Sequence, residues 1–132
     1  MPTRATATFR VDSFVPQPFD DGADARLGQV RLTKTFQGDL EGTSVVMMLS
    51  ARPEVAGSGA YVAIERIVGA VHGRAGSFLL SHVGLADRGV QSGSWVIVPD
   101  SGTDALLGLR GTGEIVNGPD GSHTFHLDYE LG

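Results

Sequence analysis

Apolar residues recur at every second position along much of this chain, and that period limits what it can fold into. Val30, Leu32 and Phe36 alternate with Arg31, Thr33 and Thr35. His123, Phe125, Leu127, Tyr129 and Leu131 alternate with Thr124, His126, Asp128 and Glu130. A period of two gives a β-strand one dry face and one wet face. No stretch of helical length shows a 3.6-residue period. The 19 glycines are dispersed between short apolar runs, which reads as many tight turns. The pattern predicts eight strands, over about 4–14, 27–37, 42–51, 60–71, 75–83, 93–99, 108–117 and 122–131.

Asn117-Gly118-Pro119-Asp120-Gly121 predicts a hairpin between the last two strands, because proline presets φ and the glycines accept positive φ. His72-Gly73-Arg74-Ala75-Gly76 predicts another between the fourth and fifth. Ser101-Gly102-Thr103-Asp104 matches a helix-capping pattern, so a short helical turn is expected before Gly108. Residues 16–28 read as the longest loop, acidic and mobile. The expected fold is a single all-β domain over residues 1–132. Its eight antiparallel strands close into a barrel, with a two-sheet sandwich as the alternative.

Composition removes several function classes. The chain has no cysteine, which excludes disulfides, thiolate metal sites and thiol nucleophiles. Its net charge is −5 and its cations are scattered, so no nucleic-acid partner is expected. No apolar run approaches a transmembrane helix, and the N-terminus has no apolar signal segment. A soluble cytoplasmic protein is the expectation. There is no phosphate-binding loop and no nucleophile elbow. His123 and His126 fall on opposite faces of a strand, so no metal is expected. Without these features no cofactor is implied, and any chemistry is acid–base or templating.

Three ionisable residues lie in phase with apolar ones. Lys34, the only lysine, shares a face with Val30, Leu32 and Phe36. A charge on a dry face is costly unless paired. Lys34 therefore either snorkels to water at a barrel rim or has a functional role. Glu65 shares a face with Tyr61, Ala63 and Ile67, and Lys34 is its natural partner. A buried Glu–Lys pair that fixes register is the structural reading, and catalysis is the functional one. Val62, Ile64 and Val68 make the same strand look buried on both faces, which leaves Arg66 to emerge at an oligomer contact. His82 is in phase with Phe78 and Leu80, where a satisfied core histidine is the structural reading. His123 and Tyr129 share the inward face of the last strand.

Several segments read together carry a family resemblance. They are TKTFQGDLEG at 33–42, YVAIERIVG at 61–69, HGRAGSFLLSH at 72–82, VPDSGT at 98–103 and HTFHLDY at 123–129. The chain resembles the bacterial DUF3224 family over about residues 5–131. That family looks like the allene oxide cyclase-like barrels, so the resemblance implies an eight-stranded barrel. The positions matching its motifs include Lys34, Glu65, Arg74, Ser77, His82 and Tyr129. Where the family usually reads PGSGTGELAG, this chain has PDSGTDALLG at 99–108, with Asp104 and Ala105 replacing a small residue and an acid.

Three functions follow as expectations. One is a cofactor-independent cyclase or isomerase with Glu65, Lys34 and His82 as catalytic residues, Glu65 as acid or base and His82 as relay. Another is a non-catalytic carrier of a small hydrophobic metabolite in the lumen. In both, Tyr61, Phe36, Phe78, Trp95, His123 and Tyr129 are the expected ligand-binding residues. The third is an oligomeric structural protein with a filled barrel.

Overall fold

The period-two segments form strands, and each strand pairs with its neighbour in sequence. The computed structural model describes residues 2–18 and 24–131. The strands are β1 (Thr3–Gln17), β2 (Leu27–Gly38), β3 (Leu40–Ala51), β4 (Gly59–Val71), β5 (Arg74–Asp87), β6 (Val90–Ile97), β7 (Leu109–Asn117) and β8 (His123–Leu131). All pairings are antiparallel, and β1 also pairs with β8, so the sheet closes into an eight-stranded up-and-down barrel. Closure removes the free edges that a two-sheet sandwich would leave.

Turn chemistry sets the hairpins. His72 and Gly73 both take positive φ, 46° and 79°, and so do Arg88 and Gly89, at 48° and 92°. Paired left-handed residues make the two-residue turn whose twist suits an antiparallel hairpin. The expected β4–β5 hairpin and the β7–β8 hairpin around 117–121 are both present. The break expected over residues 84–92 narrows to the two-residue turn at Arg88 and Gly89. Gly84 and Gly93 lie inside β5 and β6 and pair with each other. The 16–28 loop is shorter than expected, since β1 reaches Gln17 and β2 begins at Leu27. Its centre, residues 19–23, lies outside the described residues.

The interior has two halves. The end holding the β2–β3 and β4–β5 turns is packed solid by Leu40, Val71, Phe78, Ile97, Leu109 and Leu127, all at most 1% exposed. The long β6–β7 connection folds across this lower end and plugs it with Leu106. Within it Asp104–Leu106 forms a 3-10 turn. Ser101 does not cap that turn. Its hydroxyl accepts from the Leu79 amide at 3.0 Å and donates to the Val98 carbonyl at 2.7 Å, which pins the connection to β5. Asp104 has φ 54°, a left-handed backbone where the resembling motif carries glycine. Left-handed φ strains a residue with a Cβ. Asp104→Gly is therefore expected to raise stability by roughly 0.5–1 kcal/mol in urea unfolding.

One reading of β4 is corrected. Val62, Ile64 and Val68 are 50%, 49% and 41% exposed, so within a single chain this strand is buried on its inner face alone. Its outer face is apolar yet uncovered.

Candidate functional site

Four consecutive strands each turn one polar side chain into the barrel at neighbouring heights. They are Lys34 on β2, Ser44 on β3, Glu65 on β4 and His82 on β5, and all four are buried. Register sets them together: Lys34 faces Ser44 across β2–β3, Ser44 is opposite Ile67, and Glu65 and His82 sit one inward step above Ile67 and Leu80. Glu65 is the hub. The Lys34 ammonium donates to its Oε1 at 3.4 Å, and the Ser44 hydroxyl donates to its Oε2 at 2.5 Å. His82 Nε2 stands 3.2 Å from Oε1, close enough for attraction but off the line of a hydrogen bond. The Phe9 ring lies against the Lys34 ammonium, 4.6 Å from ring centre to nitrogen, and adds a cation–π contact.

Burial works to raise the Glu65 carboxyl. His82, the Lys34 ammonium and the Ser44 hydroxyl outweigh it and hold the carboxyl below the usual glutamate range. Glu65 is therefore ionised. With Nε2–H of His82 toward that charge, Nδ1 is free to accept, and the Tyr61 hydroxyl donates to it at 3.4 Å. Burial, then the Glu65 charge, raise the Tyr61 phenol above its ordinary value, and the Trp95 indole partly opposes them. Tyr61 thus stays protonated. The Trp95 N–H is buried and completes no hydrogen bond among the described residues.

Tyr61 and Trp95 are also walls of an open cleft at the upper end, of about 850 Å³. Its walls are mainly apolar and include Met48, Ile115 and the 51–60 hairpin connection. It opens where β6 and β7 part, because those strands pair only at Trp95–Gly113 and Val96–Thr112. Gly84 makes room for the phenol: a Cβ there would lie 2.2 Å from the Tyr61 ring. Two steps inward from the cleft lies the ionised carboxylate. A second hollow of about 600 Å³ lies at the lower end, lined by Thr3, His72, Arg74, Tyr129, Glu130 and Leu131. It is more polar, and none of the four buried polar residues lines it.

Sequence phase brought Lys34, Glu65 and His82 to one place. Tyr61 and Trp95 join them on the cleft side. Phe36 and Phe78 lie deeper, in the packed core. His123 stacks on Phe9 with ring centres 5.1 Å apart, and its Nδ1 is 2.8 Å from the Asn117 side-chain oxygen. Tyr129 belongs to the lower end, where its hydroxyl lies 2.5 Å from His72 Nδ1. Arg74 lines that lower hollow, and Ser77 is bonded to Thr103. Ser44 was not singled out by sequence. Its signal was position: it is in phase with Leu40 and Val46 and directly opposite Lys34. Among the described residues no group of three His, Asp or Glu side chains is placed to hold a metal ion. No helix among them is long and apolar enough to cross a membrane.

Fold and site define an antiparallel β-barrel with a buried Lys–Ser–Glu–His set beneath an apolar mouth. The model of the DUF3224 family, described as proteins of unknown function, matches residues 5–129, and the chain belongs to that family. A crystal structure of a DUF3224 protein of unknown function from Shewanella oneidensis MR-1 is similar throughout. It shares 36% identity with a TM-score of 0.92, covering 100% of this chain and 99% of that one. No curated protein matches significantly.

Proposed function

We propose that the upper cleft binds a small apolar or amphipathic molecule and holds its polar end against Tyr61 and Trp95. The observation that carries this reading is the continuous file from the cleft wall inward: Tyr61, His82, Glu65, Lys34. A few convergent polar groups at the end of a mainly apolar cleft orient a ligand. With its one proton toward His82, the Tyr61 oxygen accepts from a hydroxyl of the ligand, and the Trp95 N–H beside it donates to a ligand oxygen. The reaction class this file suits is acid–base isomerisation or cyclisation without a cofactor. Tyr61 would take a proton from the substrate as its own proton passes to His82 Nδ1, Glu65 would stabilise the resulting imidazolium, and the reverse transfers would return a proton to the isomerised substrate. Such a protein fits the cytosol, since a chain without cysteine draws nothing from an oxidising compartment.

The saturation of Glu65 favours a second reading, a carrier that returns its ligand unchanged. A carboxylate engaged by Lys34, Ser44 and His82 is a rigid support more than a reactive base. Thermal shift against medium-chain fatty acids, terpenoid ketones and polycyclic phenols tests binding, because a ligand of the native state raises Tm. Saturable stabilisation is expected for at least one class. Tyr61→Phe should weaken that ligand about three- to tenfold, the worth of one neutral hydrogen bond. No stabilisation by any class would sink the proposal. Chromatography of the recovered ligand then separates an isomerase, which yields a product of equal mass and new retention, from a carrier.

A further inference from the structure

The outer face of the barrel is unevenly dressed. On β1, β2 and β8 the outward rows are polar, as Thr8, Arg31, Thr33, Thr124 and Asp128 show. On β3 to β5 they are mostly apolar, and Val96 of β6 continues them beside the outward Ser92 and Ser94. Met47, Leu49, Val62, Ile64, Val68, Val83, Leu85 and Val96 are each between 41% and 56% exposed. Register makes them contiguous: Ile64 is opposite Met47, and Val62 lies between Leu49 and Val83. Together they expose on the order of 600 Å² of apolar surface. That is at the upper end for the largest patch on a monomer. It also approaches the ~800 Å² each partner contributes to a standard interface. A lipid-facing barrel would carry such a band on every strand, and the polar rows on β1, β2 and β8 break it.

The charges around this patch are self-complementary. Arg66 projects outward from β4 and Asp87 from β5, and neither has an ion pair or side-chain hydrogen bond among the described residues. Val62 and Val83 are directly opposite each other. Arg66 lies four residues from that pair toward the lower end, and Asp87 lies four residues from it toward the upper end. Each step is about 13 Å at the ordinary strand rise. Turning a second barrel end for end about an axis that crosses the strands at Val62–Val83 reverses up and down. Each Arg66 then stands over Asp87 of the partner subunit, one strand spacing (~4.8 Å) aside and within reach of its long side chain. A closed two-fold contact uses one patch twice and must be self-complementary in this way.

The geometry points to a homodimer in which two barrels pack through the outer faces of β3 to β6, sealed by reciprocal Arg66–Asp87 pairs. The same contact accounts for β4 reading as buried on both faces. The test is sedimentation equilibrium of the full chain from low to high micromolar concentration. The expected mass is twice the 13.8 kDa of the chain. Ile64→Asp should give a monomer with unchanged circular dichroism, since the side chain is half exposed. Arg66→Asp, which leaves the core untouched, should raise the dimer dissociation constant about tenfold by setting Asp against Asp. Arg66→Asp with Asp87→Arg should restore it to within about threefold. A monomer at every concentration overturns the proposal, as does an oligomer that survives both Ile64→Asp and Arg66→Asp. A charge-swapped double variant no tighter than Arg66→Asp alone overturns the end-for-end arrangement.

Discussion

Replacing Glu65 with leucine is expected to cost about 3–5 kcal/mol of stability, the penalty for leaving a buried ion without its partner. Lys34 is 6% exposed and Glu65 is 1% exposed. Without the carboxylate, the Lys34 ammonium keeps only the Phe9 ring as an attractive neighbour among the described residues, Ser44 loses its acceptor and His82 loses the charge beside its Nε2. The loss comes from groups left unpaired rather than from the net worth of the pair. Lys34→Met combined with Glu65→Leu should therefore recover most of the stability, since apolar replacement of both ions removes the uncompensated charge. Urea unfolding of both variants checks this. If the double variant is no more stable than Glu65→Leu, the hub assignment fails.

Acid offers an independent check. The Glu65 carboxyl titrates lower in the folded chain than in the unfolded one, where it ionises near 4.5. The unfolded chain thus takes up this proton first as pH falls. The stabilisation is complete above about pH 4.5 and is lost as pH falls through the lower folded value. Glu65→Gln keeps the shape and removes the titration, so its stability should fall less steeply below pH 4.5 than that of the parent chain.

Much of the barrel is legible in the sequence because alternation is a direct consequence of the pleat. Lys34, Glu65 and His82 stood out for the same reason: a charge in phase with valine, isoleucine or phenylalanine has few places to go. Ser44 did not, because serine is at home on either face. Gly84 and Gly93 mimic a turn in one dimension. In three dimensions Gly84 is the gap that admits the Tyr61 ring, and Gly93 lies close against the Val83 carbonyl. The cleft was illegible altogether. It depends on β6 and β7 parting after two paired residues, and the local sequence of neither strand reports that. The outer face of β4 misled in the opposite sense, because apolar residues on both sides of a strand say only that both are to be covered, not by what.

Leu106→Ala is expected to cost about 2–5 kcal/mol, while Leu107→Ala should change stability by no more than ~0.5 kcal/mol. The two leucines are adjacent and indistinguishable by type, yet Leu106 is 1% exposed and Leu107 is 74% exposed. Close backbone approach decides which one enters. A Cβ on Gly76 would lie 2.2 Å from the Thr103 carbonyl oxygen, and one on Gly102 would lie 1.9 Å from that of Leu106. Gly76 lets the β6–β7 connection lie directly on β5, where Thr103 also accepts from the Ser77 amide at 3.0 Å, and Gly102 lets the connection fold tightly on itself. The 3-10 turn that follows Gly102 then points Leu106 at the barrel axis, against the cluster that contains Phe78, Ile97 and Leu109. Truncating it leaves a void that the surrounding strands cannot collapse, because a closed barrel has no free edge to move inward. The cleft lies at the other end, so Leu106→Ala should lower the urea midpoint while leaving the affinity for a cleft ligand within about twofold. Loss of binding in a folded Leu106→Ala variant would show instead that the plugged lower half, not the mouth, receives the ligand.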